Sequence, residues 1–252
     1  MIESDKIYRT GLENVSETLL VPLFFKAKET LEKGVVRDYA AVEIISHIEY
    51  DFEKMSTDTY TQNLIAIRTK ILDSIVDEYI RNTENPVIIN LGAGLDTRHL
   101  RFKHAKWYQL DLERPMELRK IFFNDDVRIT KSFLDFSWID EICERKDILI
   151  IVEGVLMYLD KKQVQSIFSA IGAVFKNSWI VFDTIPQSFV KLKKHKSINL
   201  QLAPFKWGNS YLSEIEKWNY GFKKVTNYHY LSKWTNWRNI YNGFKVSLMQ
   251  IN

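Results

Sequence analysis

Cysteine, histidine, net charge and long apolar runs are all scarce in this chain, and each scarcity removes a class of function. A single cysteine, Cys143, excludes an internal disulfide and a cysteine-built zinc cluster. It stands among helix-like residues, Ile139 to Cys143, with no histidine close in sequence, so it reads as a packing residue rather than a nucleophile. The five histidines, His47, His99, His104, His195 and His229, form no metal-like pair and read as structural or exposed. Lys and Arg number 35 against 32 Asp and Glu, a net charge of +3 that gives no reason to expect a nucleic-acid partner. The one basic cluster, Lys191–Lys196 (KLKKHK), reads as a solvated face. The first residues, MIESDKIYRTGLE, lack an apolar signal core, and no run approaches the ~18–20 apolar residues of a membrane span. A cytoplasmic location is expected. Repeats, low-complexity segments and a G-x-x-x-x-G-K-[ST] phosphate loop are also missing.

What is present is a large apolar fraction in an alternating pattern. At 252 residues, 46% hydrophobic and 13% aromatic, the chain can bury a sizeable core as one large domain or as a core with an elaborated lid. Residues 1–85 read as a helical N-terminal lid region. Gln62–Ile80 carries Leu64, Ile65, Ile67, Ile71, Leu72, Ile75, Val76 and Tyr79 on a broad helical stripe. From residue 86 to 252 the chain reads as a core, with strands at Val87–Leu91, Trp107–Leu110, Val127–Thr130, Ile148–Val152 and Trp179–Asp183. Helices are expected between them, near Thr97–Lys103, Pro115–Phe123, Ser137–Arg145 and Lys161–Phe175. Short apolar strands alternating with amphipathic helices imply βαβ units and a parallel sheet covered on both faces. Pro186–Asn209 has no clean period and reads as an insertion. A short helix (Ser210–Asn219) and two more strands, Phe222–Tyr228 and Gly243–Ile251, follow. The expected fold class is therefore α/β: a Rossmann-like class I methyltransferase plan, seven-stranded and mostly parallel, with one antiparallel strand in the C-terminal pair.

The most informative stretch is Pro86–Asp111. An apolar strand runs into Gly92-Ala93-Gly94, and a second strand ends on a carboxylate, Asp111, 17 residues after Gly94. Glycines let backbone N–H groups approach a ligand, and an acid at the next strand end can hold two ribose hydroxyls. A dinucleotide fingerprint needs a third glycine for close helix–strand packing, and Thr97 stands there instead. A nucleoside cofactor is indicated, and the missing third glycine disfavours a dinucleotide.

These residues point to a family. Leu91-Gly92-Ala93-Gly94-Leu95-Asp96-Thr97-Arg98 resembles the leucine carboxyl methyltransferase family, including its bacterial polyketide O-methyltransferase-like branch. Further similarities follow in order: Ser16–Leu20 with Pro22-Leu23, Lys26-Ala27, Ile67-Arg68-Thr69, Leu110-Asp111-Leu112, Asp135–Trp138 and Glu153–Leu159. The resemblance covers residues 15–185. It departs at Asp38-Tyr39, where the family usually has Asp-Pro.

The resemblance implies S-adenosyl-L-methionine as cofactor and a small molecule as methyl acceptor; from charge and hydropathy no nucleic-acid or membrane partner is expected, and the oligomeric state is open. It implies that Lys26 and Arg68 hold the methionine carboxylate, a task suited to a planar guanidinium. Gly92, Ala93 and Gly94 would admit the cofactor backbone, Asp111 and Leu112 would meet the ribose, and Leu134 and Asp135 the adenine. Asp135 also reads as a helix N-cap. Glu153 and Gly154 end an all-apolar strand, where an acid is costly unless paired; its partner is the cofactor ammonium or Arg68. Tyr158 and Trp207 are weaker candidates for the acceptor side, and Phe189, Phe205 and Tyr211 share the aromatic character of that region. Methyl transfer is an in-line displacement that a carboxylate acceptor undergoes without a general base, so no catalytic residue is named. A hydroxyl acceptor would need a base that the sequence does not supply. The competing reading is a non-catalytic S-adenosylmethionine-binding regulator of the same fold.

Overall fold

The computed structural model describes residues 6–124, 127–209, 213–230 and 243–252. It begins with a two-residue strand, β1 (Tyr8–Arg9), and a 3₁₀ turn over Asn14–Leu19, followed by helices α1 (Leu20–Leu31) and α2 (Tyr39–Ser46). Strand β2 (Ile48–Glu49) pairs in parallel with β1, a small pairing that the sequence pattern gives no sign of. Helices α3 (Glu53–Ser56) and α4 (Thr59–Arg81) complete this region. Asp38 and Asp58 cap α2 and α4 by accepting the backbone N–H of Ala41 and Thr61, at 3.0 and 3.1 Å. The expected stripe of α4 buries Leu64, Ile65, Ile67, Leu72, Ile75 and Val76, with Ile71 and Tyr79 half-buried at its margin.

The sheet strands then follow: β3 (Val87–Leu91), β4 (Lys106–Asp111), β5 (Val127–Thr130), β6 (Ile148–Val152), β7 (Ser178–Thr184), β8 (Phe222–His229) and β9 (Lys245–Ile251). Between them lie α5 (Arg98–Arg101), α6 (Glu113–Phe122), α7 (Lys161–Val174) and α8 (Ser213–Glu216). The order across the sheet is β5-β4-β3-β6-β7-β9-β8, and only the pairings of β9, with β7 and with β8, are antiparallel. The strands β3 and β6 are buried at every position, as expected of central parallel strands covered on both faces. One face packs on α7 through Val164, Ile167, Phe168 and Ile171; the other packs on α4. Among the described residues no helix is long and apolar enough to cross a membrane.

Two expected helices are shorter than their patterns. The segment Ser137–Arg145 forms only a 3₁₀ turn, Phe136–Glu141. Its apolar residues Trp138, Ile139 and Ile142 are all buried in one cluster, and the Arg145 guanidinium binds the Ile142 carbonyl in place of a further helical N–H. Helix α5 stops at Arg101 because the Phe102 carbonyl accepts from the Trp107 indole N–H at 2.9 Å, turning the chain into β4. The expected helix Ser210–Asn219 survives as α8, its start lying outside the described residues.

Candidate active site

The parallel strands deliver their carboxyl ends to one edge of the sheet, where open α/β folds bind ligands. Leu91 leads into the glycine turn, β4 ends on Asp111, β6 is followed by Glu153, and β7 carries Asp183 near its end. A cavity of about 400 Å³ lies along this edge, roofed by the first 3₁₀ turn, α1, α4 and the segment after β7.

Its charged end is a network of buried ion pairs. Arg68 Nε donates to Glu153 Oε1 at 2.7 Å, and an Nη donates to Asp183 Oδ2 at 2.9 Å. Arg98, 1% exposed, reaches Glu153 Oε2 at 2.5 Å, Asp96 Oδ2 at 2.9 Å and Asp73 Oδ1 at 2.8 Å. Lys26 Nζ lies 3.4 Å from Asp96 Oδ1 and 3.7 Å from Asp38 Oδ2. Burial pushes the Glu153 and Asp96 carboxyls up, but the neighbouring cations outweigh it (Arg98 then Arg68 for Glu153, Arg98 then Lys26 for Asp96) and hold both below the ordinary range. For Asp183 burial prevails over Arg68 and the Gly154 N–H, so its carboxyl is raised. Arg68 loses proton affinity to burial and regains more from Glu153 and Asp183, so it stays charged. Among the described residues its hydrogen bonds use Nε and one terminal nitrogen, leaving the second terminal nitrogen without a protein acceptor, and Arg68 lines the cavity.

The turn packs tightly against the loop after β6. Gly92 has φ +72°, and a Cβ there would meet Val155 Cγ2 at 2.3 Å. Asp111 accepts the Gly94 and Leu112 N–H groups at 2.8 and 2.7 Å, each carboxylate oxygen keeping lone pairs for a ligand. Burial raises its pKa despite these bonds, an expense that incoming hydroxyl donors would offset.

Of the residues singled out in the sequence, Lys26, Arg68, Gly92, Ala93, Gly94, Asp111, Leu112, Leu134, Glu153, Gly154 and Tyr158 meet on the cavity wall. Two stand apart. Asp135 is exposed and absent from that wall; its carboxylate accepts the Ser137 N–H at 3.2 Å, which is the capping alternative. Trp207 is 5% exposed and packs in the core beneath α7 rather than facing the cavity, because its backbone N–H is drawn to the Met157 carbonyl at 3.3 Å. Phe189 and Phe205 do line the cavity, while Tyr211 lies outside the described residues. The sequence analysis assigns no site role to Arg98 or to Asp183. The second could have been found, since Ile180-Val181-Phe182-Asp183 repeats the apolar-strand-then-acid signature of Glu153.

The magnesium protoporphyrin IX methyltransferase of Synechocystis PCC 6803, solved with S-adenosylmethionine bound, shares the fold at TM-score 0.52 and 11% identity, over 84% of this chain and 96% of that one. Sheet order and strand-end site define this protein as a class I S-adenosylmethionine-dependent methyltransferase. The family it resembles is that of the leucine carboxyl methyltransferases, whose family model its residues 22–124 match. Among relatives, the tetracenomycin polyketide synthesis O-methyltransferase TcmP of Streptomyces glaucescens is 25% identical over 205 residues, 78% of this chain and 76% of that protein. The S-adenosyl-L-methionine-dependent methyltransferase dpfgK of Gibberella zeae is 26% identical over 201 residues, 71% of this chain and 66% of that protein. The expected fold class, cofactor and enzymatic nature are thereby borne out. Arg68 and Lys26 on the cavity wall, with Asp111 at the end of β4, fit an amino-acid-bearing nucleoside.

Proposed function

We propose that this methyltransferase O-methylates an apolar small molecule, at a carboxylate. One observation carries the reading: a single cavity joins the charged strand-end network to an apolar end lined by Met157, Ile185, Phe189, Ile198, Phe205 and Phe244. S-adenosylmethionine, when bound, supplies an electrophilic methyl on a sulfonium.

The chain's residues then bind and orient. Lys26 and the unpaired Arg68 nitrogen hold the methionine carboxylate, and Glu153, clamped by two arginines, stays ionised to accept from its ammonium. Gly92, Ala93, Gly94 and Gly154 keep the backbone clear, Asp111 accepts from the ribose hydroxyls, and Leu112 and Leu134 flank the nucleoside. Asp135 joins the adenine side only if its cap bond to Ser137 is given up. Residues 1–85 and the 186–209 insertion act as a lid that dries the apolar end. Exclusion of water favours a transfer in which opposite charges vanish. A carboxylate is already a nucleophile, so no base is required. The cavity is open rather than plugged by side chains, which favours catalysis over the purely binding alternative.

Calorimetry with S-adenosylhomocysteine and NAD, followed by a screen of aromatic carboxylic acids with methyl-labelled cofactor, tests this. The expected result is S-adenosylhomocysteine binding without NAD binding, and label recovered as methyl ester. Preferential NAD binding, or label transferred only to nitrogen or carbon, would defeat the proposal.

A further inference from the structure

Of the five histidines, His195 is the one on the cavity wall among the described residues. It belongs to the basic run that the composition leaves as a solvated face, yet two bonds pin that run to the start of α4. Lys196 Nζ donates to the Thr57 carbonyl at 2.9 Å, and Ser197 Oγ donates to Asp58 Oδ2 at 2.6 Å. Asp58 caps the helix that carries Arg68, so His195 and the charged network share one rigid anchor.

The Ser197 backbone N–H donates to His195 Nδ1 at 3.2 Å. A backbone amide can only donate, so Nδ1 must offer its lone pair and the ring proton resides on Nε2. Phe205 packs edge-on against the ring, with centroids 6.1 Å apart. Nε2 has no protein partner among the described residues. Burial pushes the imidazole pKa down, against a smaller opposing pull from Asp58, which favours the neutral ring. In this tautomer the free nitrogen is a hydrogen-bond donor with no lone pair to take a proton. The phenols of Tyr158 and Tyr230, at the same end, are raised by burial, Tyr158 to about 12, and are equally poor bases.

His195 also stands between two spaces. A second cavity, of about 610 Å³, shares Thr18, Val21, His195 and Ile198 with the first. Its wall carries Lys54, Lys193, Lys194 and Lys196 against one acid, Glu17, which already accepts from the Tyr50 hydroxyl at 2.7 Å. Lys193 and Lys194 have no anionic partner among the described residues.

We propose that His195 is the acceptor-binding residue: its Nε2–H donates to an acceptor oxygen that arrives already ionised through the lysine-walled mouth. This rests on the methyl-transfer reading above. The acceptor oxygen forms its bond to the methyl carbon as the carbon–sulfur bond breaks, and the bonding pair leaves with sulfur. No proton passes to the protein.

Binding of 2-naphthoate and of neutral 2-naphthol, each with S-adenosylhomocysteine present, tests this in the wild type, His195→Phe and His195→Gln. Glutamine keeps a donor near the Nε2 position; phenylalanine keeps the ring and loses it. Naphthoate should bind the wild type on the order of tenfold or more tighter than naphthol, the scale of one hydrogen bond to a charged group. His195→Phe should lose that margin and His195→Gln should restore most of it, with S-adenosylhomocysteine affinity unchanged in both. ¹⁵N correlation spectra should show the Nε2–H tautomer. Equal naphthoate affinity in the wild type and His195→Phe, absence of binding included, overturns the inference, as does an Nδ1–H tautomer. Failure of the wild type to bind S-adenosylhomocysteine would instead overturn the methyl-transfer reading.

Discussion

Under the proposed cofactor-binding role, Asp111 turns free-state discomfort into binding energy. Its carboxylate is buried and accepts two backbone N–H groups, yet desolvation still raises its pKa. Ribose hydroxyls donating to the ionised form would pull that pKa down, so binding favours the deprotonated state and releases protons. The sign follows: S-adenosylhomocysteine affinity should hold at neutral pH and weaken as pH falls through the raised Asp111 pKa. Calorimetry in buffers of different ionisation enthalpy reads the proton release directly. Asp111→Asn can accept through only one oxygen and carries no charge, so it should bind S-adenosylhomocysteine on the order of tenfold or more weakly and lose most of this pH dependence.

At the scale of elements, α4 is joined to the sheet by more than its apolar stripe. Arg68 bridges Glu153 after β6 and Asp183 in β7, while Arg98 from α5 holds the other oxygen of Glu153. Removing one member of such a buried set leaves uncompensated charge. Arg68→Met should therefore cost about 3–5 kcal/mol, a Tm loss on the order of 6–20 °C for a chain of this size. A calorimetric scan of the two proteins measures it. Were the loss under about 1 kcal/mol, the typical range for exposed pairs, the network would be a solvent-screened surface feature. The elements themselves were largely legible. Apolar runs such as Val87–Leu91 and Ile148–Val152 declare buried strands by composition alone. The 3₁₀ turn at Phe136–Glu141 was not legible, because its apolar spacing suits a helix and only the packing of Trp138, Ile139 and Ile142 truncates it.

For the whole molecule, the cavity is made by bringing together residues up to 229 positions apart in sequence, from Val15 to Phe244. A ligand that bridges these elements binds the folded state alone, so it should stabilise the fold as a unit. At about 100 times its Kd, S-adenosylhomocysteine should add about 2.7 kcal/mol, a Tm rise on the order of 5–11 °C, with no comparable rise from NAD. A dye-based or calorimetric melt with each ligand distinguishes them.

Local chemistry was enough to specify the strands, the glycine turn, the missing third glycine and the acids Asp111 at the end of β4 and Glu153 just after β6, because each is a short-range pattern. Eleven of the residues singled out from the sequence line one cavity because strand ends gather at that edge; which of them face inward was a tertiary matter. Asp135 turned to cap its own 3₁₀ turn and Trp207 sank into the core, although Leu134 and Phe205 close by in sequence line the cavity. Arg98 and Asp183 gained their importance from partners remote in sequence: Glu153 lies 55 positions from Arg98, and Asp183 lies 115 from Arg68. Ion pairs of that kind have no sequence period. They exist because the parallel sheet brings the ends of β3, β6 and β7 side by side, and burial there forces each charge to find another.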